Sequence, residues 1–266
     1  MILASASPVG LLLGAAAALA YAVPAVAARA IGGVTARRVL LLAWLLHGLL
    51  LAWNLFGGAP RFGFAPALSI TVWLVLTAYV VESQLYPQMR ARWALAGFGA
   101  LTIVLALLFP GAPYPAIQST WLPLHWALGI AAYGLIAAAV VHAWWMQRTE
   151  QAMRRGVAPP EGGLPLLAIE RLTFRFVTAG FALLTATLLA GWWFAEHLYS
   201  QGITWDHKRV FAALSWVVFA VLLLGRWRLG WRGRTATRML YVGSGLLLLA
   251  YVGSRFVLEV VLGRSA

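Results

Sequence analysis

Between Gly202 and Trp216 the sequence reads GITWDHKRVFAALSW, and Asp206, His207, Lys208 and Arg209 stand in an unbroken polar row between long apolar runs. An imidazole can ligate a metal or carry a proton. A carboxylate at a helix start can cap free backbone N–H groups, and neighbouring cations can hold an anion. His125, His197 and His207 all fall at ends of apolar runs, and the charge pattern puts those ends on one membrane face. Arg255 and Glu259 are four residues apart, share one helix face and can pair; alternatively Arg255 neutralises an anionic ligand while Glu259 holds it in position. His47 lies in mid-run, in AWLLHGLLLAW, where an ionisable group needs a partner within the protein. It is either a hydrogen-bonded core histidine or a ligand. His142, beside Trp144 and Trp145, is expected at the interface, without a role.

These residue types restrict the chemistry. The chain has no cysteine, which excludes disulfides, thiolate metal sites and covalent haem attachment through its own thiols. No nucleophile–base pattern and no phosphate-cradling loop stands out, so no catalytic step is assigned. A bare-ion site would bring clustered carboxylates or closely spaced histidines, and only Asp206 and Glu196 lie near this patch. Haem suits it better. Its iron takes axial imidazole, its face packs on aromatics, and its propionates need cations such as Lys208, Arg209 or Arg255.

The elements that must position these residues are apolar. Of 266 residues 62% are hydrophobic and 10% charged. Eight runs approach the roughly 20 residues that span hydrocarbon: 8–28, 39–56, 67–86, 93–109, 122–147, 176–197, 210–225 and 239–262. The seventh is short and needs its flanks to complete a span. The first lacks a basic n-region and a convincing cleavage site, and reads as a retained helix. The expected fold is therefore all-α: a polytopic membrane bundle of eight transmembrane helices forming a single integral domain, 1–266.

The formal charge of +13 follows topology rather than nucleic-acid binding. Fifteen of the twenty basic residues fall in the loops after the first, third, fifth and seventh runs, and the other side has only Arg61, Lys208, Arg209, Arg255 and Arg264. The positive-inside rule makes the first set cytoplasmic and puts both termini outside. The Pro-rich loop 110–124 is expected to lie along the interface, anchored by Tyr114 and Trp121. The inner connection 148–175 begins as a polar helical extension, breaks at GVAPPEGG and resumes at LPLLAIERLTFR; that break is the one candidate boundary, five helices from three. Ten of the fourteen tryptophans fit a belt at the two interfaces, whereas Trp192, Trp193 and Trp205 crowd the polar row as belt or ligand shelf.

The stretch 191–226, GWWFAEHLYSQGITWDHKRVFAALSWVVFAVLLLGR, resembles a degenerate tryptophan-rich WWD signature of the cytochrome c assembly family of haem-handling membrane proteins. Trp205, Asp206, Lys208 and Trp216 match that signature in order and spacing. His125, heading the fifth run after a Pro-rich loop and followed by Tyr133, matches the family histidine that precedes it. The segments from LPLLAIERLTFR and from RWRLGWRGRTATRM resemble the HemX-like, YpjD-type inner-membrane branch. Histidine and Arg209 replace the signature's Pro and Glu, a family histidine in the following helix corresponds to Leu224, and the second outside histidine has no counterpart.

The resemblance implies a multi-pass protein of a bacterial inner membrane that binds or handles haem at its outer face. His125 would be the first ligand and His207 the second, with Trp205 in the same haem-binding set; Asp206 and Lys208 would organise the signature loop, and Arg209 and Arg255 would meet propionates. Asp206 is expected to cap the seventh helix. Partners would be the bilayer, haem, and proteins of cytochrome c maturation or haem biosynthesis. The alternative is a non-catalytic membrane regulator or scaffold that keeps the fold without a complete haem site and recruits a partner through its basic loops.

Overall fold

In hydrocarbon a backbone N–H or C=O has no water to bond, so a spanning chain must satisfy these groups within its own helices. The computed structural model describes residues 7–27, 30–57, 61–85, 92–113, 122–156, 165–193 and 207–262. Each apolar run is helical there: α1 Pro8–Val26, α2 Gly33–Phe56, α3 Phe64–Leu85, α4 Arg92–Leu108, α5 Leu122–Arg154, α6 Leu166–Trp193 and α7 His207–Leu229, then α8 Gly233–Val261. Seven are long and apolar enough to cross a membrane, and α4, with 17 residues, is shorter. The surface agrees: Leu12, Leu19, Leu189 and Val261 are 72, 69, 57 and 65% exposed. In water such a surface would aggregate; against lipid it is the expected one. The chain is a polytopic helical membrane protein.

The expected helix ends shift in informative ways. The seventh run is completed by its flanks, with His207–Arg209 and Arg226–Leu229 inside α7. The polar extension of α5 stays helical to Arg154, where the Glu150 carboxylate pairs with Arg154 at 2.6 Å. The last helix does not stay α-helical: Leu249–Gly253 and Val257–Val261 are π-helical, separated by the short turn Ser254–Phe256.

The helices divide into two compact units, four and four rather than the five and three suggested by the GVAPPEGG break. The first contains α1–α4 and the end of α8 from Arg255. Small residues let its helices approach. Gly14 of α1 faces Leu107 of α4, Gly99 of α4 faces the Tyr21 ring, and Gly48 of α2 faces Trp73. Trp44 and Trp73 stack in parallel at 5.7 Å. Their N–H groups donate to Thr77 Oγ1 and to the Trp44 carbonyl. These two are packing residues between α2 and α3, a correction to the belt reading: their apolar area is better buried against each other than at the interface, once each N–H has a partner. A two-residue antiparallel pair, β1 Arg61–Phe62 with β2 Ala112–Pro113, joins the loops after α2 and α4.

The second unit contains α5, α6, α7 and α8 as far as Ser254. Its core is a seam of small and branched residues: Ala132, Ile136, Ala139 and Ala143 of α5, Val177 and Leu184 of α6, Phe219 and Leu222 of α7, and Ala236, Leu240 and Leu247 of α8. Gly180 lies against Ile136 and Gly243 against Phe219 so closely that an added Cβ at either would come within 2.8 Å. This seam is why α5 belongs with the later helices. The α6 threonines Thr173, Thr178, Thr185 and Thr187 return their hydroxyls to the carbonyl four residues back. They therefore present methyl groups sideways at no cost in unsatisfied donors.

Candidate functional site

Gly180 of α6 lies against Ile136 of α5, and Gly191 against His125, so these helices run antiparallel. Trp216 of α7 donates to Thr185 Oγ1 at 2.8 Å and stacks on Phe181, while Arg226 reaches Glu170, so α7 also runs antiparallel to α6. The start of α5, the end of α6 and the start of α7 therefore share one end of the second unit. That end carries His125, Trp192, Trp193, His207, Lys208 and Arg209.

His125 sits in the first turn of α5 and is half-buried. Its ring lies on α6. A Cβ added to Gly191 would come within 3.1 Å of its Cε1, and the ring bonds the Thr187 backbone. His207 is the first residue of α7 and is exposed; Lys208 and Arg209, next in the same turn, are half-buried. Trp192 and Trp193 end α6 at 64 and 79% exposure, an aromatic edge at the same end of the unit. Trp205, Asp206 and His197 lie outside the described residues, so the expected cap on α7 does too.

His47, Arg255 and Glu259 belong to the first unit. His47 is fully buried, with Nε2 2.8 Å from Ser69 Oγ and Nδ1 3.4 Å from the Tyr21 hydroxyl. The Tyr21 ring meets it edge-on at 5.8 Å. Both ring nitrogens thus serve a three-helix hydrogen-bond chain, the geometry of a core histidine. Glu259 turns toward the start of α3. Its carboxylate accepts from the Phe64 backbone N–H and lies near Arg255, and any side chain at Gly63 would strike it, with 2.8 Å from a Cβ to Oε2. A carboxylate there meets the positive end of the helix dipole. Phe256 adds a T-shaped contact to Phe64, whose other side leans on Phe109.

Three further polar features escaped the sequence reading. His142 is buried between helices, 5% exposed; it packs on Phe176, and Nδ1 donates to the Ala138 carbonyl at 2.8 Å. The cause is lateral: its face of α5 packs on α6, which the sequence alone does not reveal. Glu82, near the end of α3, is a carboxylate only 4% exposed. At the opposite end of the second unit from His125, Arg226 bonds Glu170 at 2.7 Å and lies 3.5 Å from the Phe174 ring centroid, with Arg232 at 3.8 Å from the same carboxylate. Glu170 and Arg226 are far apart in sequence, so no local pattern signals the pair. Among the described residues no three His, Asp or Glu side chains converge as a bare metal site would require.

Similarity to known proteins agrees with this architecture. The family described as cytochrome C assembly protein matches residues 35–262. A protein of Azospirillum brasilense, described as an uncharacterized 28.8 kDa protein, is 32% identical over 226 residues, 80% of this chain and 82% of that one. Inner membrane protein YpjD of Escherichia coli K12 is 30% identical over 166 residues, 62% of each chain. Cytochrome c biogenesis protein CcsA of Synechococcus sp. CC9902 is 26% identical over 238 residues, 77% of each. No solved structure matches the chain. With most of its length matched by the family, from the start of α2 to the end of α8, the chain belongs to the cytochrome c assembly protein family.

Proposed function

We propose that this protein binds or handles haem at the outer face of a bacterial inner membrane, in the service of c-type cytochrome assembly. The carrying observation is that one end of the second unit gathers two imidazoles, two cations and two exposed tryptophans. This donor set fits haem: imidazole for iron, indole and the apolar helix surface for the ring, Lys208 and Arg209 for the propionates. A bare metal ion asks for clustered carboxylates or histidines, and among the described residues no such group converges. Haem, when bound, supplies the iron porphyrin that a c-type cytochrome carries; His125 and His207 are its proposed ligands. The family membership and the printed names of the CcsA and YpjD relatives support the same reading. The excess of arginine on alternate loops supports an outward-facing site.

The test is absorbance of the protein purified from membranes and reconstituted with haem. A Soret band that His125→Ala shifts or abolishes, with folded protein retained, is the expected result. A protein that takes up no haem in either form overturns the proposal in favour of the regulator or scaffold. Changing Arg154 and Arg155 should then disturb function more than changing His125.

A further inference from the structure

His125 does not stand free at the helix start. Two residues four apart on α5, His125 and Gly129, meet two residues four apart on α6, Thr187 and Gly191. The Thr187 hydroxyl donates to the Leu183 carbonyl at 2.7 Å, which fixes its rotamer. Its Cγ2 methyl would then be 3.5 Å from a Cβ at Gly129, an ordinary contact. The Thr187 backbone is bonded by the His125 ring, and the ring edge lies in the notch left by Gly191, where a Cβ would come within 3.1 Å of Cε1 and 3.7 Å of Nδ1. Nδ1 is buried in this conformation. The imidazole is held against α6 rather than turned toward a ligand.

We propose that Gly191 is a positioning residue for His125: its missing side chain is what lets the imidazole lie stowed on α6, so residue 191 decides how readily the ring turns out to meet iron. This rests on the reading of His125 as a haem ligand, but the stowing itself concerns only residues of this chain. A Cβ at 191 makes the ring give by a few tenths of an ångström, and a branched side chain there reaches further into the notch and displaces the ring from α6. Gly129, on the same seam, makes no contact with the ring that a methyl group would disturb.

The experiment is carbethoxylation of the full-length protein in nanodiscs with diethyl pyrocarbonate, followed residue by residue through peptide mass spectrometry. The reagent attacks an accessible, neutral imidazole nitrogen and needs no haem. Gly191→Val should speed modification of His125 by about fivefold, the shift in an open–closed equilibrium from losing one net hydrogen bond. Gly191→Ala, which a helix accepts readily, should give a smaller rise in the same direction and carries the test if the valine variant does not fold. His207 is exposed and should react at one rate in all variants. Gly129→Ala should leave the His125 rate unchanged. An unchanged His125 rate in both Gly191 variants, or an equal rise in Gly129→Ala, overturns the proposal. A wild type that takes up no haem would sink the haem reading and leave these rates to decide the seat of His125 on their own.

Discussion

The Tyr21–His47–Ser69 chain and the Glu170–Arg226 pair are small bonded sets, and their energetics follow from which atoms lose a partner. The Glu170–Arg226 pair is 12 and 24% exposed, between a surface pair and a fully buried one. Arg226→Met should therefore destabilise the protein by about 1–3 kcal/mol, between the ranges for exposed and buried pairs. The double variant Glu170→Gln with Arg226→Met should recover most of that loss, because the one charge left without its partner, Arg232, is 68% exposed. A double-mutant cycle by chemical unfolding in detergent reads both. In the other unit, Ser69→Ala removes the partner of His47 Nε2 in a fully buried position and should cost about 1–3 kcal/mol. It should leave haem absorbance unaltered; a change in the spectrum would return His47 to the ligand set. At this scale the sequence was only partly readable. The mid-run position of His47 foretold a partner but not Tyr21 and Ser69, and nothing local joins Glu170 to Arg226. The Arg255–Glu259 spacing suggested either a pair or a held anion site; Glu259 does lie near Arg255, and what the spacing could not foretell is its bond to the Phe64 backbone at the start of α3.

Helix positions were readable because spanning length and apolarity are local properties. The polar extension after 148 and the flanks of the seventh run were readable too, and both are helical; the π-helical turns of the last helix were not, because no local pattern marks them. Helix–helix approach is decided by glycines whose effect depends on what lies opposite, and that is invisible in one sequence. Gly225 faces the Trp231 ring so closely that a Cβ would lie 2.4 Å from Cε3. Trp231 returns across a turn with Gly230 and Gly233 at φ 66 and 57, and its backbone N–H donates to the Gly225 carbonyl at 3.2 Å. Gly225→Ala should therefore expel the indole and destabilise by about 1–3 kcal/mol, the usual range for overpacking. Gly245 lies in the same unit with nothing within 4 Å of an added Cβ. Gly245→Ala should be neutral or stabilising by up to about 1 kcal/mol. Thermal unfolding of the two variants side by side checks the contrast, and equal losses would show that the close approach at Gly225 does not govern stability.

For the whole molecule the charge asymmetry predicts the orientation. Fifteen of twenty basic residues lie in alternate connections, so reporter fusions at Arg90, Gly162 and Arg232 should be cytoplasmic, and those at Gly57, Gly202 and Ala266 outside. A cytoplasmic fusion at Gly202 would remove the His125 end from the compartment where c-type cytochromes mature. The most direct measurement of whether His125 holds haem iron is the absorption spectrum of the reconstituted protein as His125→Gly, without and with added imidazole. Loss or shift of the Soret band in the variant, restored toward wild type as imidazole fills the vacated ligand position, is the predicted result. A wild-type band that survives His125→Gly unchanged and ignores imidazole would contradict it.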